Sequence, residues 1–345
     1  MAKTTNRALL FGLVILLSTV SVSAQDQQFF NLGDFQLHRG GTIRDCRVGY
    51  RTFGKLNADK SNVIILPTWA SGTTEQLKSQ IGPGKLVDSE RYFVIAIDAF
   101  GNGVSSSPSN SKLQPRMNFP RFTLADCVNA QYQLVTKLFK LNHVKAVIGV
   151  SMGGMQTFQW LVSFPDFMDL AIPIVGSPRL AAYDLLLWQS QIDAIMNDRN
   201  WNNGDYTVNP ARAPEYEFGA LVLTTPDHFN KEITREKVLE ELKKAQEAQG
   251  GGFDANDKIR QDQAMMALDI SEWFEHSIEG AARRVMAKVF VVVSKFDHVV
   301  TPGPAMEFAK LINAHLLVLE GDCGHLAPSC EWQKVNPAVD QFLRQ

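Results

Sequence analysis

Six short runs rich in Val, Ile and Leu stand out along the chain, and each is apolar at nearly every position. A strand that helices cover on both faces has this pattern, because neither of its faces meets water. Stretches with helical periodicity, such as 124–139 and 304–312, separate the runs. This alternation predicts an α/β fold with a mostly parallel central sheet flanked by helices. The predicted strands are 62–67, 92–97, 144–150, 170–175, 289–293 and 316–319.

A predicted hairpin precedes the alternating strands and helices, and a long helical segment interrupts them. Residues 35–54 predict a β-hairpin with a turn at Gly40-Gly41. Residues 177–284 show helical patterns only. We therefore expect a core formed by 25–176 and 285–345, with 177–284 as a helical cap, or lid, over the carboxyl ends of the strands, where α/β folds bind ligands. Trp188, Trp201 and Trp273 lie in this cap and either line a pocket or simply pack.

The first 24 residues have a different character. Lys3 and Arg7 precede the uncharged apolar run 8–20, and Val22-Ser23-Ala24 then matches the small-x-small pattern of a cleavage site. The run has about 13 residues, whereas a membrane-spanning helix needs about 20. This pattern predicts a signal peptide that is cut after Ala24 and a secreted or periplasmic mature protein without stable membrane insertion.

The charge of the chain argues against some partners. The formal net charge is -2, with charged residues at 20%. Such a balance gives no general attraction to nucleic acid or to anionic lipid. A small-molecule substrate is therefore expected rather than a nucleic-acid partner.

A G-x-S-x-G motif occupies residues 149–153. It directly follows the predicted strand 144–150 and precedes a helical pattern at 154–162. Strand, tight turn and helix in this order form a nucleophile elbow, in which the flanking glycines let the chain reverse. Ser151 is therefore the predicted nucleophile, and the Met152 N–H at the start of the helix is a predicted oxyanion donor.

A serine hydroxyl needs a base, and in this arrangement the acid and the histidine follow the serine along the chain. Asp297 lies just after the strand 289–293, and His325 just after 316–319. Both are loop positions at strand ends, so they are predicted to complete a catalytic triad. A second oxyanion donor is expected in the loop after 62–67, with the Ala70 N–H as first choice and the Trp69 N–H as second.

Four cysteines, Cys46, Cys127, Cys323 and Cys330, permit three pairing schemes in an oxidising compartment. A Cys323–Cys330 bridge would make the loop around His325 rigid, while buried free thiols are an equally open alternative. The sequence contains no C-x-x-C spacing typical of zinc. No metal and no organic cofactor are expected.

Residues 149–160 (GVSMGGMQTFQW) resemble the elbow of the homoserine O-acetyltransferase family of α/β-hydrolases. The likeness extends to 49–67, to 86–109 and to the cap segment 201–206. The resemblance implies the α/β-hydrolase fold and an acyl group carried by Ser151. It also implies that Asp297 and His325 act as acid and base, that Ala70 and Met152 form the oxyanion hole, and that a homodimer is a reasonable expectation.

Two departures from the family pattern concern the acceptor. The transferases carry an Arg-Gln pair in the cap that grips an amino-acid carboxylate, and Ile192-Asp193 stand at that place here. Isoleucine cannot bind a carboxylate, and aspartate would repel one. The loop 68–72 also reads TWASG where the transferases carry a HALTG type of sequence. Both differences argue against homoserine as the acceptor.

The sequence therefore favours an exported serine hydrolase that cleaves a carboxylic ester through an acyl-enzyme. Export separates the chain from cytosolic acyl-coenzyme A, which favours water as the acceptor. An O-acyltransferase of the homoserine O-acetyltransferase type is the alternative. A binding protein without catalysis is a third hypothesis, which the complete Ser, Asp and His order opposes.

Overall fold

One mixed sheet forms the centre of the molecule. The structure, a computed structural model, describes residues 26–210, 212–247 and 251–345, so the predicted signal peptide lies outside the described residues. The strands, in chain order, are Gln28–Gln36 (β1), Thr42–Phe53 (β2), Val63–Pro67 (β3), Phe93–Ile97 (β4), Val144–Val150 (β5), Met168–Ile174 (β6), Lys288–Ser294 (β7) and His315–Leu319 (β8).

The strand order across the sheet is β1-β2-β4-β3-β5-β6-β7-β8. The pairs β1–β2 and β2–β4 are antiparallel, and every pair from β4 to β8 is parallel. The carboxyl ends of β3, β5, β7 and β8 therefore point to the same edge of the sheet. The loops that carry the predicted site residues all begin at that edge.

The six predicted parallel strands are confirmed, with ends that shift by at most two residues. The hairpin turn is also confirmed, since Gly40 and Gly41 have φ angles of 91° and 88° in a turn between β1 and β2. The prediction placed the start of the first strand too late, because β1 begins at Gln28. This edge strand is only partly buried, and its alternating burial is broken at Gly33 and Asp34, where the register shifts.

Helices flank the sheet and also form the segment between β6 and β7. The core helices are Thr74–Leu77 (α1), Leu124–Lys137 (α2), Met152–Ser163 (α3), Gly303–Leu311 (α10), Ala327–Cys330 (α11) and Trp332–Leu343 (α12). The cap helices are Ala182–Met196 (α4), Arg212–Val222 (α5), Pro226–Glu232 (α6), Arg235–Glu247 (α7), Ala255–Met266 (α8) and Ile278–Ala282 (α9). No described helix has both the length and the apolar character needed to cross a membrane.

Strands β3 and β4 are apolar at every position because each face packs into its own hydrophobic cluster. In β3, Val63 and Ile65 belong to one cluster, and Ile64 and Leu66 belong to the other. All four side chains are fully buried. Helices on both faces thus remove the polar positions that would otherwise alternate along a strand.

Helix α8 connects the cap to the core through buried polar side chains. Arg260 donates from Nε to the Phe119 carbonyl at 3.0 Å and from its terminal nitrogen to the Met117 carbonyl at 2.8 Å. The Ser109 N–H donates to the Asp257 carboxylate at 2.9 Å. Because hydrogen bonds of this kind require a defined geometry, they fix the position of the cap over the core.

The turn between β5 and α3 leaves no room for extra atoms. A Cβ placed on Gly149 would lie 2.1 Å from the Gly153 carbonyl oxygen, and one on Gly153 would lie 2.6 Å from the Pro67 carbonyl oxygen. Backbone atoms cannot rotate away as side chains do. The close packing of helix against strand therefore depends on glycine at both positions.

We expect Gly149→Ala to destabilise the protein by on the order of 3 kcal/mol, because the methyl group must displace backbone. Urea unfolding measures this change. Gly303→Ala is the matched control, since a Cβ there meets no atom within 4 Å. Equal unfolding midpoints for the two variants would contradict this account of the turn.

Candidate active site

Ser151 stands at the sharp turn between β5 and α3. Its backbone angles, φ 58° and ψ -121°, lie in a region that residues with a side chain rarely adopt. The turn is held because the Ser151 N–H donates to the Ile174 carbonyl at 2.9 Å, while its own carbonyl accepts from Met155 N–H at 2.9 Å. This backbone conformation directs the Ser151 hydroxyl group away from helix α3 and into a cavity.

The three predicted catalytic side chains form one chain of hydrogen bonds. The His325 ring contacts Ser151 Oγ through Nε2 at 2.8 Å and Asp297 Oδ2 through Nδ1 at 2.7 Å. With the Nδ1 proton directed to the carboxylate, Nε2 is free to accept the serine proton. The structure thus places the predicted nucleophile, base and orienting acid in the order that was expected from the sequence.

Asp297 is held firmly in this chain. It is only 3% exposed, and its second oxygen accepts from the backbone N–H groups of Val299 and Val300 at 2.8 and 2.9 Å. These two hydrogen bonds orient the carboxylate so that its other oxygen faces the imidazole. His325 itself is 8% exposed, so Ser151 and His325 meet at the floor of the cavity.

The predicted oxyanion donors lie beside Ser151. Trp69 and Ala70 line the same cavity as Ser151, and Met152 is the first residue of α3. Within the described chain, the backbone N–H groups of these three residues have no acceptor. Free N–H groups next to a nucleophile are what an oxyanion hole requires.

Gln261 holds the loop 68–74, the predicted oxyanion loop that carries Trp69 and Ala70, from the cap. This role was not predicted from the sequence. This fully buried side chain on α8 accepts from the Ser71 N–H at 2.7 Å and donates to the Phe100 carbonyl at 3.0 Å. The Ser71 N–H is therefore not available to an oxyanion, and Ser71 adopts a φ of 57°. A single glutamine on a helix gives no sequence signal for a contact that spans 190 positions.

A disulfide and the cap together hold the His325 loop. Cys323 and Cys330 are joined, as one of the alternatives from the sequence proposed, while Cys46 and Cys127 are free and buried. From the cap, Thr225 donates from Oγ1 to the Asp322 carbonyl at 2.7 Å. These restraints lie directly before and after the histidine.

The Asp297 loop receives a similar contact from α4. Asp184 is fully buried and accepts from the Thr301 N–H at 3.1 Å and from the Thr301 hydroxyl at 3.0 Å. Burial raises the pKa of Asp184, and the nearby Asp297 charge adds to the effect. The cap therefore contacts the oxyanion loop, the acid loop and the histidine loop.

The cavity above Ser151 has a volume of about 490 Å³ and a largely apolar wall. This is sufficient for a small organic molecule. Of the cap tryptophans, Trp188 lines the cavity, Trp201 is buried within the cap, and Trp273 is exposed. The apolar side chains of the wall are Trp69, Ala70, Val150, Leu187, Trp188, Phe218, Val222, Leu223, Val299, Leu326 and Pro328.

The cap residues at the cavity differ from those that the sequence comparison indicated. Ile192 is buried inside the cap, and the exposed Asp193 accepts a hydrogen bond from Gln189. Neither residue lines the cavity, so the expected repulsion of a carboxylate by Asp193 is wrong. Helix periodicity turns these two positions away and brings Gln191 to the wall, together with Lys258 from α8.

One group of described residues has metal-ligand spacing, namely His228, Cys323 and Cys330. The two sulfur atoms of this group form the disulfide, so they are not available as thiolate ligands. His228 contacts Asp322 at 3.1 Å instead and adds to the contacts between cap and histidine loop.

Comparison with known proteins places this geometry in a family. A model of the alpha/beta hydrolase fold matches residues 62–329. An ethyl acetate hydrolase of Pseudomonas veronii is 30% identical over 312 residues, which cover 87% of this chain and 89% of that protein. A homoserine O-acetyltransferase of Chlorobaculum parvum is 30% identical over 348 residues, which cover 94% of this chain and 96% of that protein.

Solved structures agree with the sequence matches. The acetyl esterase MekB superposes with a TM-score of 0.87 at 26% identity, with 93% of this chain and 98% of that chain covered. The predicted likeness to homoserine O-acetyltransferases is thus confirmed, and esterases join them as relatives. The chain belongs to the α/β-hydrolase family and is an enzyme related to both its esterases and its homoserine O-acetyltransferases.

Proposed function

We propose that this protein is an exported carboxylic-ester hydrolase that uses Ser151, His325 and Asp297 as its catalytic triad. The observation that carries the proposal is the hydrogen-bond chain from Asp297 through His325 to Ser151, which ends at the floor of a mostly apolar cavity. A small ester is the substrate class that fits both this chemistry and this wall.

The reaction follows from the positions of the groups. Ser151 Oγ attacks the ester carbonyl carbon while His325 Nε2 takes its proton, and the same proton then passes to the leaving alkoxide. An acyl group remains on Ser151. His325 next takes a proton from water as the water oxygen attacks the acyl carbonyl, and it then returns that proton to Ser151 Oγ as the acid leaves. Asp297 stabilises the imidazolium that forms in each half.

Negative charge develops on the carbonyl oxygen in both halves. The Met152 N–H and the Ala70 N–H are the proposed donors, with the Trp69 N–H as the alternative to Ala70. All three lack an acceptor among the described residues. Donors that are already oriented stabilise the charge without reorganising, which is the largest single contribution in many acyl transfers.

Two observations support water as the final acceptor. The likeness to an ethyl acetate hydrolase and to an acetyl esterase covers most of the chain. The amino-terminal 24 residues have the pattern of a signal peptide, and we propose that the mature protein, from residue 25, is secreted or periplasmic. Acyl-coenzyme A is not available there.

Acyl transfer to a small alcohol or amino acid is the second candidate. The homoserine O-acetyltransferase relatives favour it, since their likeness extends over as much of the chain as that of the esterases. Transfer and hydrolysis share the acyl-enzyme and differ only in what attacks it. Product analysis therefore separates the two candidates.

We expect residues 25–345 to release free acid from a short acyl ester, both with and without L-homoserine. Ser151→Ala should lower kcat by about four orders of magnitude or more and abolish labelling by a serine-reactive phosphonate. Acylated homoserine as the main product would establish the transferase instead. Full activity of the Ala variant would refute both candidates.

Asp297→Asn should lower kcat by roughly four orders of magnitude, because the amide no longer holds the imidazole in the required tautomer. Steady-state kinetics with the same ester measures the effect. Asp169→Asn is the matched control, since Asp169 contacts His143 at 2.9 Å in an exposed pair at the start of β6, at the opposite edge of the sheet from Ser151. Similar losses in both variants would exclude a special role for Asp297.

Gln261→Leu should lower kcat by about tenfold to a hundredfold with a smaller change in KM, because the Ser71 N–H loses its acceptor and the oxyanion loop its position. Gln263→Leu on the same helix is the control, since Gln263 accepts from Arg260 and does not contact this loop. A change confined to KM would show that Gln261 serves substrate binding instead.

A further inference from the structure

A buried lysine lies in the wall of the active-site cavity. Lys258 lines the cavity opposite the core loops, yet it is only 8% exposed. Its ammonium group donates to Gln191 Oε1 at 2.8 Å, forms an ion pair with Asp262 one turn further along α8, and lies 4.9 Å from the centre of the Trp188 ring. The other cavity residues from the cap are apolar apart from Gln191.

Burial of the Lys258–Asp262 ion pair costs desolvation free energy, and its contribution to stability does not explain why the pair is there. Asp262 is fully buried, and its Oδ2 has no partner among the described residues. Burial raises the pKa of Asp262 to about 6, against the opposing effect of Lys258. Replacement of a buried ion pair by apolar residues is often neutral or stabilising. A pair of this kind at the wall of a reaction cavity is thus better explained by binding than by stability.

The hydrogen bonds of Lys258 leave one N–H donor of its ammonium group for a ligand. An ammonium group has three N–H donors, and two of them are directed to Gln191 and Asp262. Among the described residues, the third has no oxygen acceptor. Because Asp262 balances the positive charge, the pair as a whole is neutral. Its free donor therefore suits a neutral oxygen better than a carboxylate, which Asp262 would repel.

We propose that Lys258 is a specificity residue that donates a hydrogen bond to a second, neutral oxygen of the ester substrate, away from the ester group that Ser151 attacks. The substrate class is a short ester that also carries a keto, hydroxyl or ether oxygen. This inference rests on the proposed hydrolase function, because it deepens the specificity of that same site.

Matched ester pairs test both sides of the substrate. Butyl acetate and 2-methoxyethyl acetate have equal chain length and differ by one oxygen on the alcohol side. Methyl pentanoate and methyl 4-oxopentanoate differ by one keto oxygen on the acyl side. Monomethyl glutarate supplies a carboxylate in place of the neutral oxygen. The measured quantity is the ratio of kcat/KM values within each pair.

Variants of the Lys258–Asp262 ion pair show whether the ratio of kcat/KM values depends on Lys258. Lys258→Met keeps an unbranched side chain one atom shorter than lysine and removes the donor. The double variant Lys258→Met with Asp262→Asn avoids an unpaired buried carboxylate. Lys237→Met is the matched control, because Lys237 also pairs with a carboxylate one turn later, Glu241, but on the exposed helix α7.

We expect the natural protein to favour the oxygen-bearing ester of at least one neutral pair, and both Lys258 variants to lower that ratio by about tenfold or more. Lys237→Met should keep the ratio. The ratio of kcat/KM values within an ester pair is compared between the natural protein and each variant. Differences in the intrinsic reactivity of the esters, and any loss of folded protein in a variant, cancel in this comparison.

Ratios that Lys258→Met and the double variant leave unchanged would overturn the inference while leaving the hydrolase proposal intact. A preference for monomethyl glutarate alone would also overturn it and would identify an anion site. If no ester is cleaved and the phosphonate does not label Ser151, the proposed function fails, and this inference fails with it.

Discussion

The turn at Ser151 is the constraint on which the rest of the site depends. The serine adopts a positive φ, and the neighbouring glycines bring helix α3 so close to strand β5 that a Cβ on Gly149 would overlap the Gly153 carbonyl. Such strain persists only where the surroundings enforce it. Here the surroundings are the parallel strands β3 and β5, whose central residues are buried and which supply a rigid base for the turn.

The cap has a structural role in catalysis beyond covering the cavity. Each of the three loops at the edge of the sheet is hydrogen-bonded to a different cap segment. Ser71 N–H donates to Gln261 and Thr301 N–H donates to Asp184, while Thr225 donates to the Asp322 carbonyl. Loops are the least constrained parts of a fold, while the reacting groups need positions fixed to a fraction of an ångström. The cap contacts therefore compensate for the mobility that loops would otherwise have.

The wall of the cavity is mostly apolar but also contains a charged pair. The apolar part of the wall strengthens electrostatic interactions at the Asp297–His325–Ser151 hydrogen-bond chain. The Lys258–Asp262 pair introduces charge into that same wall, where desolvation is costly. The Lys258–Asp262 pair is neutral as a whole and keeps one free N–H donor. It can therefore bind a polar group of the substrate without placing a net charge near the Asp297–His325 hydrogen bond.

The sequence by itself determined the parallel strands, the elbow and the order of Ser151, Asp297 and His325. Continuous apolar runs and glycine positions are local signals, and a loop after a strand in this fold reaches a known edge of the sheet. Only the tertiary structure decided which cap residues face the cavity. Ile192 and Asp193 turn away while Gln191 and Lys258 line the wall, because the direction of a side chain depends on how α4 and α8 pack. The Gln261 contact with Ser71 was likewise invisible, since it joins positions distant in sequence that come together only when the cap folds over the core.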